Sequence, residues 1–570
     1  MTSTTKVIVA AIDFGTTFSG YAFSFGHDFQ NDPMKIQTNH WIGGGHISLK
    51  APTTVLFTPE KVFHSFGYDA EDKYMELAEE EDHKEWYYFR RFKMLLHENK
   101  ALTRTTVLAD EHKKPLPALT VFSSAIKYLK QHLLQVIQQR VTEINDDDIH
   151  WVLTVPAIWN ESAKQFMKEA GIEAGLHKNG LVLALEPEGA SVFCKRLPIE
   201  RLRLSKSNDI EAFKSGSNYM VLDLGGGTVD ITVHSVQSDG TLSEIAKASG
   251  GAWGGIQVDT AFLTFLEQIV GKQFLEEFRE ENTADFIDMM REFEAKKRTV
   301  SSKSDGMVTM RIAASFSLRF KTKKKKDLHQ HVSESEYVDR VFFKRDKIQI
   351  SAEIFKRFFT DSISNTVCHV REILEENDYR GIETILLVGG FAESEIVQDE
   401  IRAAFSDKRV ITPNESGLVV LKGAVLYGHN PKVVKSRISK YTYGVEVHAP
   451  FNEDLHPAEY KFFDGIYKCR YLFDPFVRAG QVVPVDEVVR NSYTSNIIDV
   501  EEGVGIFAST REFPAYVVEE NCFKLGNVYL DEPGHEVIVE MQFGGTQFSV
   551  QFTDLNTGVK RIDCFDFLCH

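Results

Sequence analysis

"VAAIDFGTTFSGYAFSF", residues 9–25, places an aspartate, a glycine and two threonines between two apolar runs. Apolar runs of this length broken by small polar residues predict a hairpin of buried strands. A bare hairpin turn needs only a Gly or Asn pair. This one is longer and richer in hydroxyls, which predicts that it holds something. The device returns in "NYMVLDLGGGTVDITVHSV", residues 218–236, where an apolar strand delivers Asp223 into a run of glycines. A third strand, "IETILLVGGFAES" at 382–394, ends in Gly389-Gly390. Helical stretches such as "TVFSSAIKYLKQHLLQVIQQRV", with apolar residues every three or four positions, lie between them. Strands alternating with helices predict an α/β architecture. The repeated aspartate turn predicts two related lobes.

From about residue 440 the texture changes. "EVIVEMQFGGTQFSVQF" at 536–552 alternates apolar and polar residues around a Gly-Gly turn, as paired half-buried strands do. Val537, Val539, Met541 and Phe543 are expected on one face, with Phe548, Val550 and Phe552 on the partner strand. The expected division is therefore residues 1–430, a linker at 431–440, and a mainly β domain at 441–570. No long helix is expected after it.

Composition narrows the partners. Of 570 residues, 43% are hydrophobic, enough for several ordinary globular cores. No apolar run approaches the ~18 residues that span a bilayer, and the N-terminal run reads as a first strand rather than a signal peptide. A net charge of -17 repels nucleic acid and anionic membranes, so neither is expected as a partner. "KTKKKKD" at 321–327 is a local exception, read as a solvated basic loop, with an acidic partner's docking site as the alternative. Six scattered cysteines without metal-ligand spacing point to a reducing compartment, the cytoplasm or else the nucleus. The tail pair Cys564 and Cys569 is expected to stay reduced, with a redox role as the alternative.

A turn reading Gly-Thr-Thr or Gly-Gly-Gly-Thr after a strand exposes backbone N–H groups with little side-chain bulk, an anion site. Thr16, Thr17 and Thr228 add hydroxyl donors. Asp13, Asp223 and Asp230 would repel phosphate directly, but make sense if a hard cation sits between carboxylate and phosphate, usually through its waters. Two such turns facing one another would clasp the β- and γ-phosphates of a nucleotide with Mg²⁺. Neither the P-loop nor the dinucleotide fingerprint occurs at these positions.

The motifs "AAIDFGTTFSGYAF", "VLTVPAIWNESAKQFMKEAGIEAGL", "LEPEGAS", "VLDLGGGTVDITV", "EAKKRTVSS" and "ILLVGGFAES" occur in the order seen in the 70-kDa heat-shock protein family. The chain most resembles its divergent twelfth, 12A/12B-like subfamily. The resemblance implies an actin-like two-lobed ATPase domain with duplicated subdomains, then a β sandwich that binds extended peptides. It implies ATP/ADP and Mg²⁺ as cofactors, and an atypical, slowly hydrolysing, stress-response chaperone acting as a monomer or weak oligomer. A nucleotide-regulated protein-binding scaffold with little hydrolysis is the alternative, and a metabolite kinase with the same core is a third.

By that resemblance Asp13 and Asp223 organise metal, while Gly15, Thr16, Thr17, Phe18 and Gly225, Gly226, Gly227, Thr228 hold phosphates. Glu186, Asp223 and Asp230 position water, and Lys93 offsets charge near the γ-phosphate. Glu294 and Lys297 would bond the ribose, Arg298 cover the base, Ser301 meet its edge, and Gly251, Gly389 and Gly390 form the pocket floor. The chain departs from the family pattern at Glu393, where an arginine sandwiches adenine, at Phe18 for tyrosine, and at Lys164 for arginine after Pro156. It departs again in the linker region, "HNPKVVKSRISKYTYG", and a helical lid and acidic tail motif are not expected after the β domain.

Overall fold

The computed structural model describes residues 6–568 except 44–45, 100, 141–144, 178–179, 198–201, 204–212, 377–378, 380, 495–503, 529–534, 544–547 and 564–566. The Gly544-Gly545 turn and Cys564 and Cys569 lie outside the described residues.

Two sheets repeat one connection pattern. In the first, Ile8–Phe14 pairs antiparallel with Phe18–Phe25 and parallel with Ile149–Val155, which pairs parallel with Leu181–Leu185. In the second, Asn218–Leu224 pairs antiparallel with Val229–Val236 and parallel with Thr384–Val388, which pairs parallel with Arg409–Pro413. Every residue of Ile8–Phe14 is buried, as expected of a central strand covered on both faces. One cover is the helix Ala118–Gln138, which buries Val121, Phe122, Ala125, Ile126, Leu129 and Leu133 at helical spacing.

In each lobe the strand after the parallel pair feeds a helix, Glu186–Cys194 in the first and Ser416–His429 in the second. These two helices touch by backbone. A Cβ on Gly423 would lie 1.7 Å from the Gly189 carbonyl oxygen, so only glycine permits the approach that draws the two lobes together.

The C-terminal region is two antiparallel sheets around a common core. Tyr443, Val445, Phe476, Ile506 and Ala508 of one sheet cluster with Val539, Met541, Val550 and Phe552 of the other. The alternation expected at 536–552 is present: Val537, Val539, Met541, Phe548, Val550 and Phe552 are buried, and Phe543 packs against them. Among the described residues after His429, helical structure is confined to two three-residue 3₁₀ turns. No helix among the described residues is long and apolar enough to cross a membrane.

Two segments differ from expectation. Residues 321–324 are not a loop but the last turn of the helix Ala314–Lys324, where positive charge suits the negative end of the helix dipole. Lys323 and Lys326 are moreover paired with Glu277 and Glu334. Within 431–440, expected as a linker, Val434–Ile438 forms a strand between Leu242–Gly251 of the second-lobe sheet and Val482–Pro484.

Candidate functional site

The two aspartate turns meet across the lobes. A Cβ on Gly226 would fall 2.2 Å from Thr17 Oγ1, and one on Gly227 would fall 2.8 Å from Thr16 Oγ1 and 2.4 Å from Met94 Sδ. Glycine is required here because any side chain would fill the gap between the turns. The carbonyls of Gly225, Gly226 and Gly227 accept from the amides of Gly255, Ile256 and Gly254 at 3.1, 2.8 and 3.1 Å. In the first lobe Thr53 does the same work, its hydroxyl and amide bonding the Gly15 and Thr17 carbonyls at 2.8 Å each. Both turns thus commit carbonyls to the protein, which suits the amide side to an anion.

Around this seam lie Asp13, Asp223 and Asp230, all buried, and Glu186 at the start of its helix. Lys93, 4% exposed, bonds Glu186 Oε1 at 2.8 Å and sits 5.0 Å from the Trp159 ring. It comes from a 3₁₀ turn, Phe92–Met94, after Arg91 in the left-handed region, so it does not snorkel to solvent from an amphipathic helix. Thr228 Oγ1 and the Ile158 amide donate to the two oxygens of Asp230 at 3.0 and 3.1 Å. Gly389 has φ +88°, and a Cβ there would strike Asp223 Oδ1 at 2.4 Å. A Cβ on Gly390 would meet nothing within 4 Å, so that residue borders open space.

Crowding sets the protonation of these acids. Burial, then repulsion from Glu186, Asp230 and Asp13, pushes the Asp223 carboxyl well up. Burial pushes Glu186 up to about 7, with Lys93 opposing and Asp13 and Asp230 adding to the rise. Burial raises Asp230 as well, against the pull of the Ile158 amide and Thr228 hydroxyl. Asp13 goes the other way: burial works against its charge, but Lys50, 2.6 Å from Oδ2, together with Lys93 and the Thr154 hydroxyl, holds the carboxyl below the usual range. Lys50 belongs to no motif and reaches Asp13 from 37 residues away, so nothing in the sequence marks it.

Surplus negative charge facing backbone amides is what a metal-bound polyphosphate would relieve, so the residues fit Mg²⁺ and a nucleotide. Among the described residues no three His, Cys, Asp or Glu side chains form a metal-holding group. A cation at Asp13 and Asp223 therefore needs water or phosphate oxygens to complete its shell.

In the second lobe, the helix Thr283–Thr299 carries Glu294, Lys297 and Arg298. Lys297 is buried against Glu294 and Asp259, at 2.5 and 2.7 Å, and Arg91 of the first lobe pairs with the same Asp259. Asp259 and Arg91 join the site only through the fold. Glu294 is held down to about 2, since Lys297 and Arg298 overcome its burial. Arg298 lies 4.8 Å from the Phe18 ring and 3.6 Å from Glu393 Oε2, while Glu393 Oε1 accepts the Gly417 amide at 3.2 Å. Ser301 bonds Ser304 through its amide at 3.0 Å. Gly251 pairs with Val229, next to the second turn, and a Cβ there would meet Trp253.

The strand Val434–Ile438 reaches the same centre. Arg437 grips Glu188, two residues after Glu186, with two bonds of 2.6 and 2.8 Å. The Ile438 amide donates to Glu244 at 3.0 Å. Lys440 donates to the Ile158 carbonyl at 2.9 Å, and the amide of that residue holds Asp230. Lys164 pairs locally with Glu161 at 2.9 Å.

The family model described as Hsp70 protein matches residues 89–448. Heat shock 70 kDa protein 12A of Mus musculus is 34% identical, covering 99% of this chain and 92% of its own length. The 12A protein of Homo sapiens is likewise 34% identical over 99% and 92%, and the 12B protein of Homo sapiens 35% over 98% and 91%. The buried acids and glycine turns, the family match over most of the chain and the near full-length relatives agree: the chain belongs to the HSP70 family of ATP-binding, actin-like ATPases.

Proposed function

We propose that this chain binds ATP between the two turns, hydrolyses it slowly, and uses the nucleotide state to govern a protein-binding β domain, as an atypical HSP70-like chaperone. The observation that carries the reading is the meeting of the Thr16–Thr17 and Gly226–Gly227 turns above a Lys93–Glu186 pair. A bound Mg²⁺, held by Asp13 and Asp223 through water and phosphate oxygens, would supply charge neutralisation at the phosphates.

The chain's own residues do the rest. Glu186, raised to about 7, is poised near neutral pH to take a proton from a water molecule. Asp223 and Asp230 flank that position. Asp230 is fixed by two donors, so it orients without wandering. Lys93 is buried and pre-aimed, so its charge opposes negative charge developing on the transferred group without reorganisation. The β domain offers an edge strand, Lys461–Asp464, with Phe463 two-thirds exposed, to which an extended client segment would add as a further strand.

The Arg298–Glu393 contact favours the second reading, a nucleotide-regulated scaffold. A carboxylate stands where a second arginine would face the base, and that removes one cation–π partner. Single-turnover hydrolysis with purified protein separates the two. The chaperone cycle predicts measurable phosphate release that Lys93→Ala slows by about 10²-fold, and tight ATP binding without any release favours the scaffold.

A further inference from the structure

Opposite Asp223 in the strand register stands Asp230; opposite Asp13 stands Gly20. The missing side chain is filled from elsewhere. A Cβ at Gly20 would lie 3.1 Å from Lys50 Cγ, so the glycine makes room for the lysine stem. The ammonium ends 2.6 Å from Asp13 Oδ2, with 17% of the side chain exposed. The lysine is held in place by its neighbours: Ala51 and Pro52 pair with Ser19 and Phe18, and Thr53 bonds the turn twice. Thr154 already donates to Asp13 Oδ1 at 2.8 Å, so Asp13 needs no second donor merely to be satisfied. A part-buried ammonium costs more desolvation free energy than a hydroxyl would, which argues that the positive charge itself matters. With Lys50 present, two ammonium groups, Lys50 and Lys93, face the four acids Asp13, Glu186, Asp223 and Asp230.

We propose that Lys50 is a built-in second cation of the phosphate site, sharing Asp13 with the water shell of any Mg²⁺ bound there. A nucleoside diphosphate is then held with less help from divalent metal than the acid cluster alone would demand. The inference rests on the nucleotide reading above and adds to it a residue and a metal dependence.

The test is ADP binding by titration calorimetry, in Mg²⁺ and in EDTA, for the full-length protein, Lys50→Gln and Lys50→Arg. Loss of one charge-assisted contact is expected to weaken metal-free binding by Lys50→Gln about tenfold or more, and binding in Mg²⁺ by less than about threefold. Lys50→Arg keeps the charge and should stay near the parent in both buffers. Equal weakening of Lys50→Gln in both buffers, or no weakening in either, overturns the inference and leaves nucleotide binding standing. Absence of ADP binding by the parent protein in both buffers overturns the nucleotide reading, and the inference with it. If Lys50→Gln fails to fold, the Lys50→Gln/Asp13→Asn double variant leaves no orphan carboxylate. Its ratio of metal-free to Mg²⁺ affinity is compared with that of Asp13→Asn alone, and an unchanged ratio again overturns the inference.

Discussion

The turn after Asp13 and the turn after Asp223 share one backbone plan and opposite electrostatics. Each ends a central buried strand, turns through small residues, and has its carbonyls held by a neighbouring segment. In the first lobe the register partner is glycine and a lysine leans in, so Asp13 is held ionised. In the second the partner is another aspartate, and burial with three acid neighbours pushes Asp223 toward its neutral form. A duplicated fold thus supplies two copies of one glycine-containing turn, while the side chains around them differ in charge. One half brings its own cation, and the other is short of one.

Matched neutralisations of the two aspartates test that contrast with the largest expected effect. In denaturant unfolding at neutral pH in EDTA, Asp13→Asn should destabilise by about 1–3 kcal/mol, because Lys50 loses its charged partner in a part-buried site. Asp223→Asn should stabilise by about 1 kcal/mol, relieving a charge the fold disfavours. Shifts of the same sign in both variants would contradict the comparison.

A smaller effect is expected from pH. Glu186 has a folded pKa of about 7, above its unfolded value, so the native state binds the proton more tightly. Its contribution is greatest below the ordinary glutamate range and is lost as pH rises through about 7. Metal-free stability should therefore fall by about 1–2 kcal/mol between pH 5 and 8, and Glu186→Gln should flatten the slope. A slope unchanged in that variant would show that Glu186 is not strained by its neighbours.

The α/β layout and the two turns were legible because strand periodicity and glycine punctuation are local signals. Asp13, Asp223 and the glycines could be read from the same stretches. The alternation at 536–552 told which faces of the C-terminal strands turn inward, since period two leaves no other choice. Lys50, Asp259 and Arg91 were not legible. Each is a charged residue outside the glycine turns whose partner lies far away in sequence, and only the sheet register and lobe closure bring them in. The helix at 321–324 was not legible because a charge run carries no helical periodicity of its own; Phe316 and Phe320, packed on Phe274 and Phe278, make that segment a helix. In the linker region, Arg437 grips Glu188 from far away in sequence, a pairing that no local pattern marks.

One titration tests nucleotide binding between the turns most directly: ADP with Mg²⁺ into the parent protein and into Gly226→Val. A valine there would drive into Thr17 and part the turns. The predicted result is saturable binding by the parent and affinity lower by about 10²-fold in the variant. Equal affinity in the two proteins would contradict a nucleotide held between these turns.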